Sequence, residues 1–142
     1  MVFIVDDGSV FEAPLDKVWK LVEAHNTDGP KIHPEMKNIT QEEVSKNAVI
    51  IGWESDIQDR RVKSKMKITA YPPLGMTFEL LEGPMTGSKF FNYYTPKGAT
   101  TGVTVAGDFN SPVMTGDQLK QAVLAFLEQS FNEDSAYLAT MR

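Results

Sequence analysis

Residues 60–71, RRVKSKMKITAY, alternate between two chemistries along most of their length. Val62, Ser64, Met66 and Ile68 fall on one side, and Arg61, Lys63, Lys65 and Lys67 on the other. Successive side chains point to opposite faces only in an extended chain, so this segment reads as a strand with one face buried and one in water. Such a strand needs antiparallel neighbours beside it and a second layer over its apolar side.

The neighbours are legible on both sides. NAVIIGWESDIQ alternates Val49, Ile51 and Trp53 against Ile50, Gly52 and Glu54. The turns YPPLG and EGPMTGS bracket a strand at 76–82 that carries Met76, Phe78 and Leu80 on one side. SKFFNYYTPKGATTGVTVAGDF reads as a hairpin around Pro96–Ala99. With Thr95 opposite Thr100, Tyr94, Asn92 and Phe90 face Thr101, Val103 and Val105; a slip of one residue puts Phe91 and Tyr93 there instead. Residues 2–12 form a further strand, in which DDGS at 6–9 marks a bulge or bend.

Two segments have helical periodicity. In EAPLDKVWKLV, Pro14 suits a first helical position, where its missing N–H costs nothing, and Asp16 suits the positive end of the helix dipole. Leu15, Val18, Trp19 and Val22 share one face, and the breakers in HNTDGPKIHP predict an end near His25. The loop 26–35 that follows is expected to be mobile. The last segment opens on TGDQ, with Thr115 as N-cap and Gln118 as its capping-box partner. Its stripe of Leu119, Val123, Phe126, Leu127, Ser130, Asp134, Tyr137 and Leu138 predicts a helix of roughly 40 Å that packs on the sheet. The order is strand, short helix, antiparallel strands, long helix: an α+β chain of two layers, read as one domain over 1–142.

Composition narrows the function classes. There is no cysteine, which excludes disulfides and thiolate chemistry and makes a cytoplasmic location the expectation. A net charge of −5 argues against nucleic acid as a partner. No segment approaches the roughly 20 apolar residues of a membrane span, and the N-terminus reads as no signal peptide. No elbow, P-loop or dinucleotide fingerprint is present.

The chain resembles the START-like and polyketide cyclase/dehydrase superfamily (SRPBCC), which includes birch-pollen-allergen-like proteins and the accessory proteins of carbon monoxide dehydrogenase; its closest likeness is to the latter branch. The resemblance rests on Ala13-Pro14-Leu15-Asp16-Lys17-Val18-Trp19, on KIHPEMKNI before the second strand, on Tyr71-Pro72-Pro73 and on the Gly98–Val103 stretch. It spans essentially the whole chain. It implies the helix-grip fold, in which a curved antiparallel sheet of about seven strands wraps around a long C-terminal helix, with one or two short helices after the first strand. It also implies an apolar cavity between sheet and helix. Members bind lipids, polyketides or hormones there, some catalyse cyclisation or aromatisation, and some only bind protein partners. Fold does not choose among these.

The expected ligand-binding set is Trp53, Ser64, Met66, Phe78, Phe90, Asn92, Tyr94, Val103 and Val105 from the sheet, with Val123, Phe126, Leu127 and Ser130 from the helix. The ligand expected is an apolar small molecule, lipid-like or aromatic, bound or carried. A pocket of this kind is mostly apolar with a few placed hydrogen-bonding groups, and a solid core with internally paired polar groups fits the same residues. If the chain is an enzyme instead, a cyclase or aromatase without metal, His33, Asn92 and Tyr94 are the candidates to orient substrate and move a proton. A third reading is a partner-binding accessory protein with a vestigial cavity. His25 reads as a charge at a helix C-terminus. Two histidines eight residues apart across a Gly-Pro turn match no zinc spacing, so neither metal nor cofactor is expected. Glu133 and Asp134, adjacent on a helix, do not face each other and make no catalytic dyad. The basic stripe from Arg61 to Lys67 reads as a solvated strand face or as a surface for an acidic partner.

Overall fold

The computed structural model describes residues 1–141. Seven strands, β1 (Val2–Phe11), β2 (Lys37–Ser45), β3 (Ala48–Ile57), β4 (Arg60–Tyr71), β5 (Gly75–Glu82), β6 (Lys89–Lys97) and β7 (Thr100–Phe109), form one antiparallel sheet. Its order is β1-β7-β6-β5-β4-β3-β2. Strands β2 to β7 are therefore a meander, and β1 closes on β7 at the far edge. Helix α1 (Leu15–Ile32) follows β1, and α2 (Gly116–Thr140) ends the chain.

Local chemistry explains the joins. The β3–β4 hairpin pairs Ile57 with Arg60, so its loop is only Gln58 and Asp59, both with positive φ. That is the requirement of a tight turn whose twist matches the strands. β1 shifts register between Asp6 and Ser9, with Gly8 at φ +94 supplying the left-handed residue of the expected bulge. At the β6–β7 pair, Gly107 stands opposite Phe90. A Cβ there would run into the Lys89 carbonyl oxygen and the Phe90 Cα, so only glycine admits this approach.

Four expectations change. The β6–β7 hairpin turns on Gly98 and Ala99, with Lys97 opposite Thr100. This is two residues from the expected register, and it keeps Phe90, Asn92 and Tyr94 on the face of Val103 and Val105. Helix α1 does not stop near His25; it runs to Ile32 through a kink at Asp28 (φ −111, ψ 19). Pro30 has no N–H to donate back to the preceding turn. The helix resumes because Gly29 and Ile32 are buried and the His33 N–H bonds to Gly29 O at 2.8 Å. Thr115 is the N-cap of α2, but its side chain makes no capping hydrogen bond. Phe126 is 48% exposed rather than packed on the sheet.

The last correction has a simple origin. The buried positions of α2 are Leu119, Val123, Leu127 and Leu138. Phe126 lies about 100° around the helix from Leu127, off that stripe. Phe131 takes the inward place, and its ring stacks on Phe11 with centroids 4.8 Å apart.

The core is in two parts. One gathers Phe11, Val18, Leu21, Ile32, Tyr94, Val103 and Leu138, with Trp19 and Phe131 against it. The other gathers Ile4, Phe90, Val105, Phe109, Leu119, Val123 and Leu127, with Phe78 and Leu80 against it. Phe78, Phe90 and Phe109 stack in a row, at 4.8 and 5.1 Å between centroids. Thr101, fully buried, donates from Oγ1 to Ala13 O at 2.8 Å and so ties β7 to the start of α1.

Candidate functional site

Register places the expected sheet residues on one face. Trp53 pairs with Ser64, Met66 with Leu80, Phe78 with Phe90, Asn92 with Val105 and Tyr94 with Val103. Directly opposed residues share a face, and steps of two along a strand keep it. Val123 and Leu127 of α2 meet Phe90 and Val105 in the second part of the core. Ser130 is partly buried and belongs to neither part, and Phe126 points away.

Along β6 the inward residues run Phe90, Asn92, Tyr94. Phe90 belongs to one part of the core and Tyr94 to the other, so Asn92 sits at the seam. Its Oδ1 is buried and has no hydrogen-bond partner among the described residues. An unpaired buried amide oxygen costs on the order of 1–3 kcal/mol, so this is an expensive atom to leave there. Tyr94 is buried, with the edge of Trp19 against it at 6.3 Å. Burial pushes its phenol well above the ordinary range, the charge of Asp134 pushes further, and the Asn92 amide works against both.

A recess of about 280 Å³ opens between β1 and α2, lined by Asp6, Ser9, Leu124, Leu127, Glu128 and Phe131. It lies at the β1 bulge, and of the expected ligand set it includes only Leu127. A shallower depression of about 440 Å³ runs along the outer side of α2, from Ala125 to Ala136.

A polar cluster joins the two helices. Because α1 continues past Asp28, His25 and His33 both reach α2. The Nε2 atoms of His25 and His33 are 3.2 Å apart, and Asp134 Oδ1 lies 3.1 Å from the first and 3.2 Å from the second. On their outer sides, His25 Nδ1 is 2.8 Å from Leu21 O, and His33 Nδ1 is 2.8 Å from Glu133 Oε1. A carbonyl only accepts, so His25 Nδ1 carries its proton. Burial alone would lower the pKa of His33, but the hydrogen bonds and charges of Asp134 and Glu133 outweigh it and raise it to about 9. Burial works against the Asp134 carboxylate, yet the two histidines hold it below its usual value. Glu35, near the Nδ1 side of His33, is raised mainly by burial and also by Glu133. Tyr137 donates to Asp28 Oδ2, pinning the kink of α1 to α2.

No family model matches the chain, and no curated protein matches it. Solved structures do. Ara h 8.0201 superposes with a TM-score of 0.82 at 14% identity, over 99% of each chain. The Zhui aromatase/cyclase from Streptomyces sp. R1128 gives 0.73 at 15% identity, over 96% of this chain and 92% of that one. A START superfamily protein from Mycobacterium smegmatis gives 0.73 at 15% identity, over 99% of each. The fold is helix-grip. These neighbours do not single out the branch of the carbon monoxide dehydrogenase accessory proteins.

Within the helix-grip frame, the inner sheet face holds the expected apolar set and Asn92, while the histidines sit where the two helices meet. Among the described residues no hydrogen bond joins His33 to Asn92 or Tyr94; its partners are Glu133, Asp134 and His25. The pair read as no dyad, Glu133 and Asp134, does not face itself but holds opposite nitrogens of one imidazole. His25 is no terminal helix charge; it lies in the body of α1. Four members of this cluster, His25, Glu35, Glu133 and Asp134, are absent from the expected site set. One signal for them exists: Asp134 falls on an otherwise apolar stripe, and a carboxylate there needs a partner. Of the basic stripe, Arg61 is paired with Asp56 at 2.6 Å and Lys37 joins the same carboxylate at 2.8 Å, on the outer face. No helix among the described residues is long and apolar enough to cross a membrane.

Proposed function

We propose that the chain binds an apolar small molecule, lipid-like or aromatic, between the inner sheet face and α2, with Asn92 and Tyr94 fixing its polar atom. The observation that carries this is the buried, unpartnered Oδ1 of Asn92 at the seam between the two parts of the core. A ligand hydroxyl would donate to it. The rings of Phe78 and Phe90 and the side chain of Met76 next to Asn92 supply apolar surface. The likeness to a START superfamily protein and to an aromatase/cyclase supports the same reading. Cyclase-type catalysis is the second reading. It is favoured by the aromatase/cyclase neighbours and by the reach of the Asp134 charge to Tyr94.

Titration with an apolar naphthalene fluorophore tests the proposal. The emission of Trp19, which touches Tyr94, should quench saturably, and Trp19→Phe should remove that signal. Asn92→Leu should weaken binding of a hydroxylated probe more than that of its hydroxyl-free analogue. Equal affinity of both probes for both proteins would refute the role of Asn92. Absence of saturable binding would favour an accessory protein that binds a protein partner.

A further inference from the structure

We propose that His25, His33 and Asp134 form a binding site for one first-row divalent transition-metal ion at the junction of α1 and α2, with the geometry of Zn²⁺. His25 Nε2, His33 Nε2 and Asp134 Oδ1 make a nearly equilateral triangle with sides of 3.1, 3.2 and 3.2 Å. Tetrahedral zinc holds its nitrogen and oxygen ligands at about 2.0–2.1 Å, which sets neighbouring ligand atoms about 3.3 Å apart. The three atoms therefore already stand close to the spacing that one face of such a tetrahedron requires. The fourth position is left for water or another ligand, as in sites with three protein donors.

Proton accounting points the same way. His25 Nδ1 donates to Leu21 O, and the His33 Nδ1–H is held by Glu133 Oε1. With both outer nitrogens protonated, the neutral rings aim two lone pairs and a carboxylate oxygen at one point. A single proton bridges only two of these three acceptors. One divalent cation engages all three.

The outer contacts are those a bound metal uses to orient imidazole. A carbonyl on one ring and a carboxylate on the other fix the tautomers and raise the basicity of the inward nitrogens. Two imidazoles and one carboxylate suit zinc, cobalt or ferrous iron; calcium and magnesium prefer all-oxygen sets, and soft cuprous ions prefer sulfur. The side chains are partly solvent-accessible, His25 at 30% and Asp134 at 23%, so an ion has a path in. Glu35 and Glu133 stand on the far side of the His33 ring and complete a separate outer group. The site is independent of the apolar ligand proposed above.

The full-length chain, stripped with chelator and dialysed, is titrated with Zn²⁺ in a calorimeter and with Co²⁺ in a visible spectrometer. One ion per chain is expected, with a Co²⁺ spectrum of the intensity typical of four-coordinate sites. His25→Ala and Asp134→Asn should each weaken Zn²⁺ binding at least tenfold, and Glu133→Gln should weaken it about 10–100-fold through His33. Glu35→Gln should leave it unchanged. A Co²⁺ spectrum identical to that of the aqua ion overturns the site even if the variants fail to fold. So does Zn²⁺ affinity that is unaltered in folded His25→Ala and Asp134→Asn proteins.

Discussion

The Nε2 atoms of His25 and His33 face each other at 3.2 Å across the meeting of the first and last helices. Neither ring would hold that position alone. His25 is anchored by Leu21 O one turn back, and His33 is clasped between neighbouring carboxylates of α2.

In the metal-free protein this arrangement makes stability depend on pH. The His33 pKa rises from 6.5 to about 9 on folding, so its contribution is fully present below 6.5 and is lost as pH climbs through 9. Asp134 is depressed on folding, so its contribution is present above 3.8 and falls away under acid. His25, Glu133 and Glu35 face the same ring and share its charge. Denaturant unfolding with chelator present should show a loss on the order of 2 kcal/mol between pH 6 and pH 9.5, absent in His33→Gln. An equal pH dependence in both proteins would show that His33 is not the group responsible.

Leu119→Ala and Phe126→Ala should differ sharply. Leu119 is 1% exposed in the second part of the core and Phe126 is 48% exposed. The first should cost about 2–5 kcal/mol in chemical denaturation and the second less than about 1 kcal/mol. The reverse order would mean that α2 is rotated on its axis.

Thr101→Val keeps the shape of a fully buried side chain and removes its bond to Ala13 O. A cost of about 1–3 kcal/mol is expected, since that carbonyl is left unpaired at the entry to α1. Thermal unfolding with unchanged native spectra is the measurement. A neutral result would mean that another donor reaches Ala13 O.

Gly107→Ala should destabilise by about 1–3 kcal/mol or more, because the new methyl meets β6 backbone rather than a yielding side chain. Gly98→Ala, at an open turn where nothing lies within 4 Å, gives the comparison. Its cost should come only from its positive φ of 76°. Equal penalties in chemical denaturation would argue against the close approach of β6 and β7.

Strands and their inward faces were legible because alternation is local: Ser64, Met66, Phe78, Asn92 and Tyr94 stand together as their spacing predicts. The hairpin register was less so, since a shift of two residues preserves every face and leaves the pattern unchanged. Helix α1 outran its breakers because burial of Gly29 and Ile32 outweighs the weak local preference of Asn26-Thr27-Asp28-Gly29-Pro30. Phe126 and Phe131 are both plausible on an apolar stripe, and only the contact with Phe11 selects between them. The histidine cluster was hidden for a different reason. Its members come from positions 25, 33, 133 and 134, and their meeting depends on how α1 crosses α2.

The contact between His25 and Asp134 joins points 109 residues apart in a chain without cysteine. A tie of that span works as a clasp: it shortens the free contour of the chain much as a disulfide would, and fraying of α2 beyond Asp134 can proceed without undoing it. Reductants leave such a clasp untouched, whereas acid opens it by protonating the carboxylate. The strap that holds the two ends of this thiol-free chain is thus locked by protons rather than by electrons.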